Sequence, residues 1–283
     1  MKRVAAIVSK AQWPEDKRVD LLQVRRDCIV AADDGGVVTK TFCGEDAELQ
    51  WRLALQEYDR LREFTHALLA LDGAACPEAL DLVREPLPQL RMTHAAGVPV
   101  PTLLRARQLA PELRQHLAIT AARALELYVE RLDEPYYDFH FANMLYDETS
   151  GTLTFLDLGL PPYYRTLVGR SALGISLGNL IGSTIFHSAR PREFFRCRAQ
   201  GQAVALCAEI AVLVLRSHPT VAAELPVCVS AAYARPAQTG RWHRRLWYAV
   251  VAPLVARPVI LGRQAFSLRT RGVTVRSAKR WSS

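Results

Sequence analysis

Apolar positions change their period several times along the chain, and each change marks an element. Up to Phe42 the pattern is that of strands: Cys28-Ile29-Val30-Ala31-Ala32 and Val37-Val38-Thr39-Lys40-Thr41-Phe42 flank Asp33-Asp34-Gly35-Gly36. Consecutive Asp and Gly positions supply the positive φ of a tight hairpin turn, so Lys40 falls inside a strand. From Glu45 to about Leu71 no Gly or Pro interrupts, and Leu49, Leu53, Tyr58, Leu61, Leu68 and Leu71 recur at helical spacing. That predicts a long amphipathic helix with Glu57 in its middle. The Pro-punctuated stretch from Pro77 to Pro101 holds two short apolar pieces, Leu80-Asp81-Leu82-Val83 and Leu90-Arg91-Met92, which predict two more strands and a crossover.

Beyond Pro101 the period becomes helical. Pro111 suits a first helical turn, and Leu113, Leu117, Ala121, Ala124, Leu125, Tyr128 and Val129 form an apolar stripe up to Arg131. Tyr136 to Tyr146, the turn Asp147 to Gly151, and Thr152 to Asp157 predict a loop feeding a second hairpin. Helices are expected over Leu173 to Phe186 and Arg192 to Arg216, with weaker ones after Pro219. Small residues at Gly174, Gly178 and Gly182 suggest a face packed closely under the loop that precedes the second hairpin. The apolar runs Ala203 to Leu215 and Tyr248 to Gly262 are broken by Glu209 and by Pro253, Arg257 and Pro258. Both fall short of the ~20 apolar residues a membrane span needs.

Composition narrows the class. The chain has 283 residues, half of them hydrophobic and 23% charged, which suits a core-forming protein and excludes a disordered or fibrous one. Six cysteines lie far apart with no Cys-x-x-Cys pair, which predicts reduced thiols. No His-Glu-x-x-His, Gly-x-Ser-x-Gly or dinucleotide glycine fingerprint occurs. Charge is segregated: the last 59 residues hold 11 Lys and Arg and no Asp or Glu, which outweighs a slightly acidic remainder to give +8. Such an end, with Arg241, Arg244, Arg245, Trp242, Trp247 and Tyr248, favours polyanions (a membrane surface, nucleic acid or a phosphorylated substrate), or equally is a helical layer that keeps its Arg heads in water. No signal-peptide pattern opens the chain, so the expected location is cytoplasmic, with peripheral association at the inner membrane face left open.

The stretch that carries chemistry is Tyr137-Asp138-Phe139-His140-Phe141-Ala142-Asn143-Met144-Leu145, followed by Phe155-Leu156-Asp157-Leu158-Gly159. Asp138, Asn143 and Asp157 flank a short hairpin, so folding it brings three oxygen-bearing side chains to one end. Hard oxygen donors grouped in this way suit Mg2+, which takes one or two protein carboxylates together with waters and phosphate oxygens. The remaining carboxylate can orient a hydroxyl nucleophile.

These residues resemble the protein-kinase-like phosphotransferases, and within them the aminoglycoside, choline and lipopolysaccharide-core kinase branch, which carries Asp-x-His-x-x-Asn-x-Leu, a turn, then Asp-x-Gly. The resemblance implies an α+β, bilobal fold with a small β-rich lobe over residues 1–94 and a mainly helical lobe over 95–283. It further implies that Asp138 is the catalytic base, His140 the loop-bracing histidine, and Asn143 and Asp157 the Mg2+ ligands. Lys40 resembles the strand lysine that grips the α- and β-phosphates, and Glu57 its ion-pair partner. Leu90-Arg91-Met92-Thr93-His94 stands in the place of the hinge that binds adenine through backbone groups, with Met92 and His94 as its cofactor-binding positions. Read from the residues alone, Lys40 and Glu57 are open to two interpretations: a buried pair, or a lysine on an exposed strand face with Glu57 as one solvated glutamate among Glu48 and Glu63.

The implied activity is ATP- and Mg2+-dependent transfer of the γ-phosphoryl group to a hydroxyl of a small molecule, glycan or lipid, with no specific nucleic-acid partner. A kinase acting on peptide or protein, and a non-catalytic pseudokinase, are the competing readings. Only about a dozen residues separate Gly159 from the helix near Leu173, which leaves little room for a phosphorylation-switched segment. Residues 1–34 contain no glycine, so a Gly-rich phosphate loop is missing; Ser9-Lys10, Lys17-Arg18 or Arg25-Arg26 are candidates to replace it. Tyr136-Tyr137 replaces the family's His-Gly and is expected to pack the loop.

Overall fold

The computed structural model describes residues 19–24, 28–106, 108–159, 169–188 and 198–239. Strands fill the first part and helices the later part, the α+β order expected from the periodicity. Strands β1 (Val19–Val24), β2 (Cys28–Asp33), β3 (Val37–Phe42), β5 (Ala79–Val83) and β6 (Gln89–Thr93) form one antiparallel sheet in the order β1-β2-β3-β6-β5. The first hairpin closes as predicted. Asp33 Oδ1 accepts the backbone N–H of Gly35 (3.0 Å) and of Val37 (2.9 Å), and Gly36 takes φ 76.

Helix α1 (Ala47–Leu68) begins where Asp46 caps it, its Oδ1 accepting the N–H of Leu49 at 3.0 Å. It buries Ala54, Glu57, Leu61, Phe64 and Leu68, a stripe at helical spacing that lies against the sheet and against α3 (Pro111–Leu132). A second sheet, absent from the sequence reading except for its hairpin, runs β4-β9-β8-β7. It adds the two-residue strands β4 (Ala74–Ala75) and β7 (Val98–Pro99) to β8 (Met144–Asp147) and β9 (Thr152–Phe155). The short helix α2 (Val100–Ala106) follows β7 directly.

Helices α4 (Ala172–Ser188), α5 (Arg198–Ser217) and α6 (Val221–Thr239) complete the described chain. One buried core joins Leu117, Leu125 and Tyr128 of α3 to Leu177 and Leu180 of α4 and to Leu206, Ile210 and Val214 of α5. The glycine stripe of α4 requires a correction. Gly174 and Gly178 do not face the loop before the second hairpin; they face α6, and a Cβ on Gly178 would lie 2.6 Å from Cys228 Cβ and 2.7 Å from its carbonyl carbon. Small residues there let two helix backbones approach, a property of the α4–α6 contact. Cys28, Cys43, Cys76, Cys207 and Cys228 are free thiols, as expected. No described helix is long and apolar enough to cross a membrane.

Candidate active site

On β3 the period of two puts Val38, Lys40 and Phe42 on the same face, and that face lines a cavity of about 760 Å³. Lys40 is no surface lysine: its side chain is 13% exposed, and Nζ donates to Glu57 Oε1 and Oε2 (both 2.8 Å) and to Asp157 Oδ1 (2.7 Å). The solvated reading of Glu57 falls away, since its side chain is 3% exposed, whereas Glu48 pairs with Arg84 (2.6 Å) and Glu63 with Arg131 (2.7 Å) on the surface. Burial opposes the charge on Lys40, but the Asp157 and Glu57 carboxylates hold its pKa well above the ordinary lysine value. Glu57 itself is pushed up, because loss of water outweighs the pull of Lys40.

Asp138 and His140 lie between α3 and the short 3-10 turn Phe141–Asn143. That loop is braced from several sides. Tyr136 is buried; its N–H donates to Ser176 Oγ (2.9 Å) and its hydroxyl donates to the carbonyl of Leu156. The Asn179 side-chain amide donates to the carbonyl of Tyr137 (2.8 Å), and that of Asn143 to the carbonyl of Asp138 (3.1 Å). Asn143 also receives the N–H of Leu156 on its backbone carbonyl at 2.9 Å, which ties the loop to the strand that leads to Asp157. Tyr136 therefore packs the loop, as expected.

Asp157 takes φ 57, a left-handed conformation that aspartate tolerates better than most residues. Its side chain is 27% exposed and lines the cavity. Two residues on, Gly159 meets Glu57 Oε2 so closely that a Cβ would stand 2.6 Å from it. With its Nδ2 bound to the Asp138 carbonyl, Asn143 keeps its Oδ1 as an acceptor, and it lines the same cavity as Asp157. Two hard oxygen donors of this kind fit a Mg2+ ion that takes its other ligands from phosphate and water. Among the described residues no three His, Cys, Asp or Glu side chains form a metal cage.

All eight residues singled out from the sequence line this one cavity: Lys40, Glu57, Met92, His94, Asp138, His140, Asn143 and Asp157. At the hinge the geometry refines the expectation. The N–H of Thr93 is taken by the Glu78 carbonyl (3.0 Å) and that of His94 by the Gly36 carbonyl (2.9 Å), so neither donor is left for a base. The sequence reading missed Cys28 and Gln50 in the lining, and Ser176 and Asn179 behind the loop. The last two carried a partial signal: they are the first polar positions of a mostly apolar helix, off its glycine stripe. Burial pushes the Cys28 thiol up to about 12, which makes it an unreactive wall.

The proposed phosphate-loop substitutes Ser9-Lys10, Lys17-Arg18 and Arg25-Arg26 lie outside the described residues, as do Pro161 to Tyr164 and the basic end from Arg241 onward. A second cavity of about 610 Å³ lies between α3 and α5. It is mostly apolar, and the Arg114–Glu209 ion pair (2.7 Å) sits in its wall without any of the grouped chemistry described above.

No family model and no curated protein matches the sequence. A solved structure does match the fold: the GDP and kanamycin complex of APH(2")-IIia, an aminoglycoside phosphotransferase, superimposes with a TM-score of 0.50 at 9% sequence identity, over 91% of this chain and 98% of that one. At that identity the likeness is one of architecture, and it shows that this chain has an α+β, kinase-like fold.

Proposed function

We propose that the chain is an ATP- and Mg2+-dependent kinase that transfers the γ-phosphoryl group to a hydroxyl of a small molecule, glycan or lipid. The observation that carries this reading is the double pairing of Lys40 with Glu57 and Asp157 in the wall of a cavity that also holds Asp138 and Asn143. A cavity of about 760 Å³ is of the size that takes a nucleotide. The solved neighbour is a nucleotide and aminoglycoside complex, which agrees in kind with a small acceptor.

In this reading Lys40, fixed by Glu57, holds the α- and β-phosphates, and the segment Met92 to His94 borders the base. The spent N–H groups of Thr93 and His94 leave the carbonyls of this segment and the groups beyond it for base contacts. Asn143 and Asp157 would hold the metal, whose chemistry is to neutralise phosphate charge. Asp138 orients the acceptor hydroxyl and receives its proton, and His140 with Tyr136 keeps that loop in place. Most of the rate enhancement then comes from positioning and fixed charge. In this reading the boundary between the two lobes falls between residues 94 and 95. Between Gly159 and α4, which begins at Ala172, there are too few residues for a phosphorylation-switched segment, which favours a small acceptor over a protein. The basic end is the part suited to an anionic acceptor at the inner membrane face of the cytoplasm.

The test is labelled ATP incubated with the full chain and, separately, with peptide, glycan, aminoglycoside and lipid pools, with and without Mg2+. Mg2+-dependent label in a non-peptide pool is the expected result. Label confined to peptide reverses the acceptor assignment, and absence of nucleotide binding with or without metal removes the reading.

A further inference from the structure

We infer that Arg60 and Glu134 are positioning residues that set the helix carrying Glu57 against the loop carrying Asp138; the inference rests on the kinase reading above. Arg60 lies one turn beyond Glu57 on α1, and its side chain is only 5% exposed. Its Nε donates to Glu134 Oε2 at 2.9 Å, and its Nη2 donates to the same oxygen. Glu134 follows Asp133, whose left-handed φ of 51 ends α3, and stands four residues before Asp138. One ion pair therefore joins the turn that presents Glu57 to the root of the loop that presents Asp138.

Packing alone does not fix this relationship. Phe64 of α1 meets Tyr128, Tyr136 and Phe155 edge-on at centroid distances of 5.1, 6.4 and 6.0 Å. Such contacts hold the helix close but tolerate sliding, whereas a guanidinium gripping a carboxylate is directional. The exposed Arg131–Glu63 pair (2.7 Å) adds little, as surface pairs do. Arg60 is also a poor choice for stability: among the described residues its Nη1 is buried with no hydrogen-bond partner, an arrangement that costs free energy. A buried arginine with that defect is better explained by direction than by stability. The consequence is a Lys40–Glu57 pair held permanently in register with Asp138.

The experiment compares full-length wild type with Arg60→Met and Arg60→Lys. Methionine keeps the apolar volume and leaves the half-exposed Glu134 in water. Mg2+–ATP hydrolysis, Mg2+–AMP-PNP titration and amide exchange over residues 47–68 and 134–143 are measured. We expect Arg60→Met to retain its melting temperature and its nucleotide affinity, to lose roughly 10- to 100-fold in kcat, and to exchange faster in both segments together. Arg60→Lys, which restores a point charge without the fork, recovers part of the loss. Wild-type kcat in Arg60→Met, or faster exchange confined to α1, overturns the inference. Should Arg60→Met not fold, Glu134→Gln, which keeps an acceptor but removes the counter-charge of the buried guanidinium, is expected to melt lower, to lose the same kcat and to exchange faster in both segments, with the same overturning results. A wild type that neither binds nor hydrolyses Mg2+–ATP removes the kinase reading, and the tie is then decided by exchange alone.

Discussion

Gly159 and Glu57 share a space that admits no further carbon: a Cβ on residue 159 would lie 2.6 Å from Glu57 Oε2 and 3.3 Å from Glu57 Cδ. The obstacle is a side-chain tip, but one that Lys40 holds from both oxygens. Gly159→Ala should therefore cost about 1 kcal/mol of folding stability, at the low end for overpacking, while turning Glu57 away from Lys40. The expected outcome is a small shift in urea midpoint and at least a tenfold loss of Mg2+–ATP turnover. Unchanged turnover would show that Glu57 has room to move without leaving Lys40.

The two cavity carboxylates should separate in their effects. Asp138→Ala is expected to abolish transfer while nucleotide still binds, because the proposed role of Asp138 is to orient the acceptor and not to hold the nucleotide. Asp157→Ala should remove the Mg2+-dependent part of binding. Thermal shift reads both: a ligand at one hundred times its Kd adds about 2.7 kcal/mol to the folded state, enough to move the melting temperature by several degrees. Retained turnover in Asp138→Ala refutes the assigned base.

Behind the loop, Asn179→Ala leaves the part-buried Tyr137 carbonyl without the amide that reaches it at 2.8 Å. A loss of about 1–3 kcal/mol is expected in urea unfolding, together with faster amide exchange at residues 136–140. Ser176→Ala removes the acceptor of the Tyr136 N–H and should resemble it. A change in stability that leaves loop exchange untouched contradicts the bracing role.

Gly178→Ala tests the α4–α6 approach. The added methyl meets Cys228 backbone at 2.7 Å, and backbone cannot swing aside as a side chain does. Destabilisation of about 1–3 kcal/mol or more is expected, with little direct effect on nucleotide affinity in the fraction that folds. Tolerance of alanine at this position would mean that the two helices can separate.

Glu224 makes a pH-dependent contribution. Its carboxylate accepts the Ser171 N–H (2.8 Å) and hydroxyl (2.9 Å) at the start of α4, and these bonds, the backbone one foremost, hold its pKa below the ordinary 4.5. A depressed carboxylate stabilises the fold above its unfolded pKa and loses that contribution as pH falls through the folded value. Glu224→Gln should thus melt slightly lower than wild type at pH 7, with the difference closing on acidification below 4.5. A difference independent of pH would assign the effect to packing.

Much of the site was legible because its parts are local. Asp138, Asn143 and Asp157 flank one hairpin, so their convergence follows from closing it, and Lys40 follows from a period of two in β3. The hinge expectation named a segment that lines the cavity, but not which of its groups remain free, since the bonds of Thr93 and His94 are set by Glu78 and Gly36 from elsewhere in the chain. The glycine stripe of α4 announced a close approach without saying to what; its partner, Cys228, lies fifty residues further on. Strands β4 and β7 are two residues each, too short to carry a period, and their place depends wholly on β9 and β8. Arg60 carries no signal in the sequence, because nothing in α1 reveals that Glu134 waits just past the end of another helix.

The most direct measurement is a crystal structure of the full chain with Mn2+ and AMP-PNP, recorded at a wavelength where manganese scatters anomalously. The account predicts one anomalous peak within ligand distance of Asn143 Oδ1 and the Asp157 carboxylate, with the triphosphate reaching Lys40. A nucleotide bound outside this cavity, or a metal held by other residues, contradicts it.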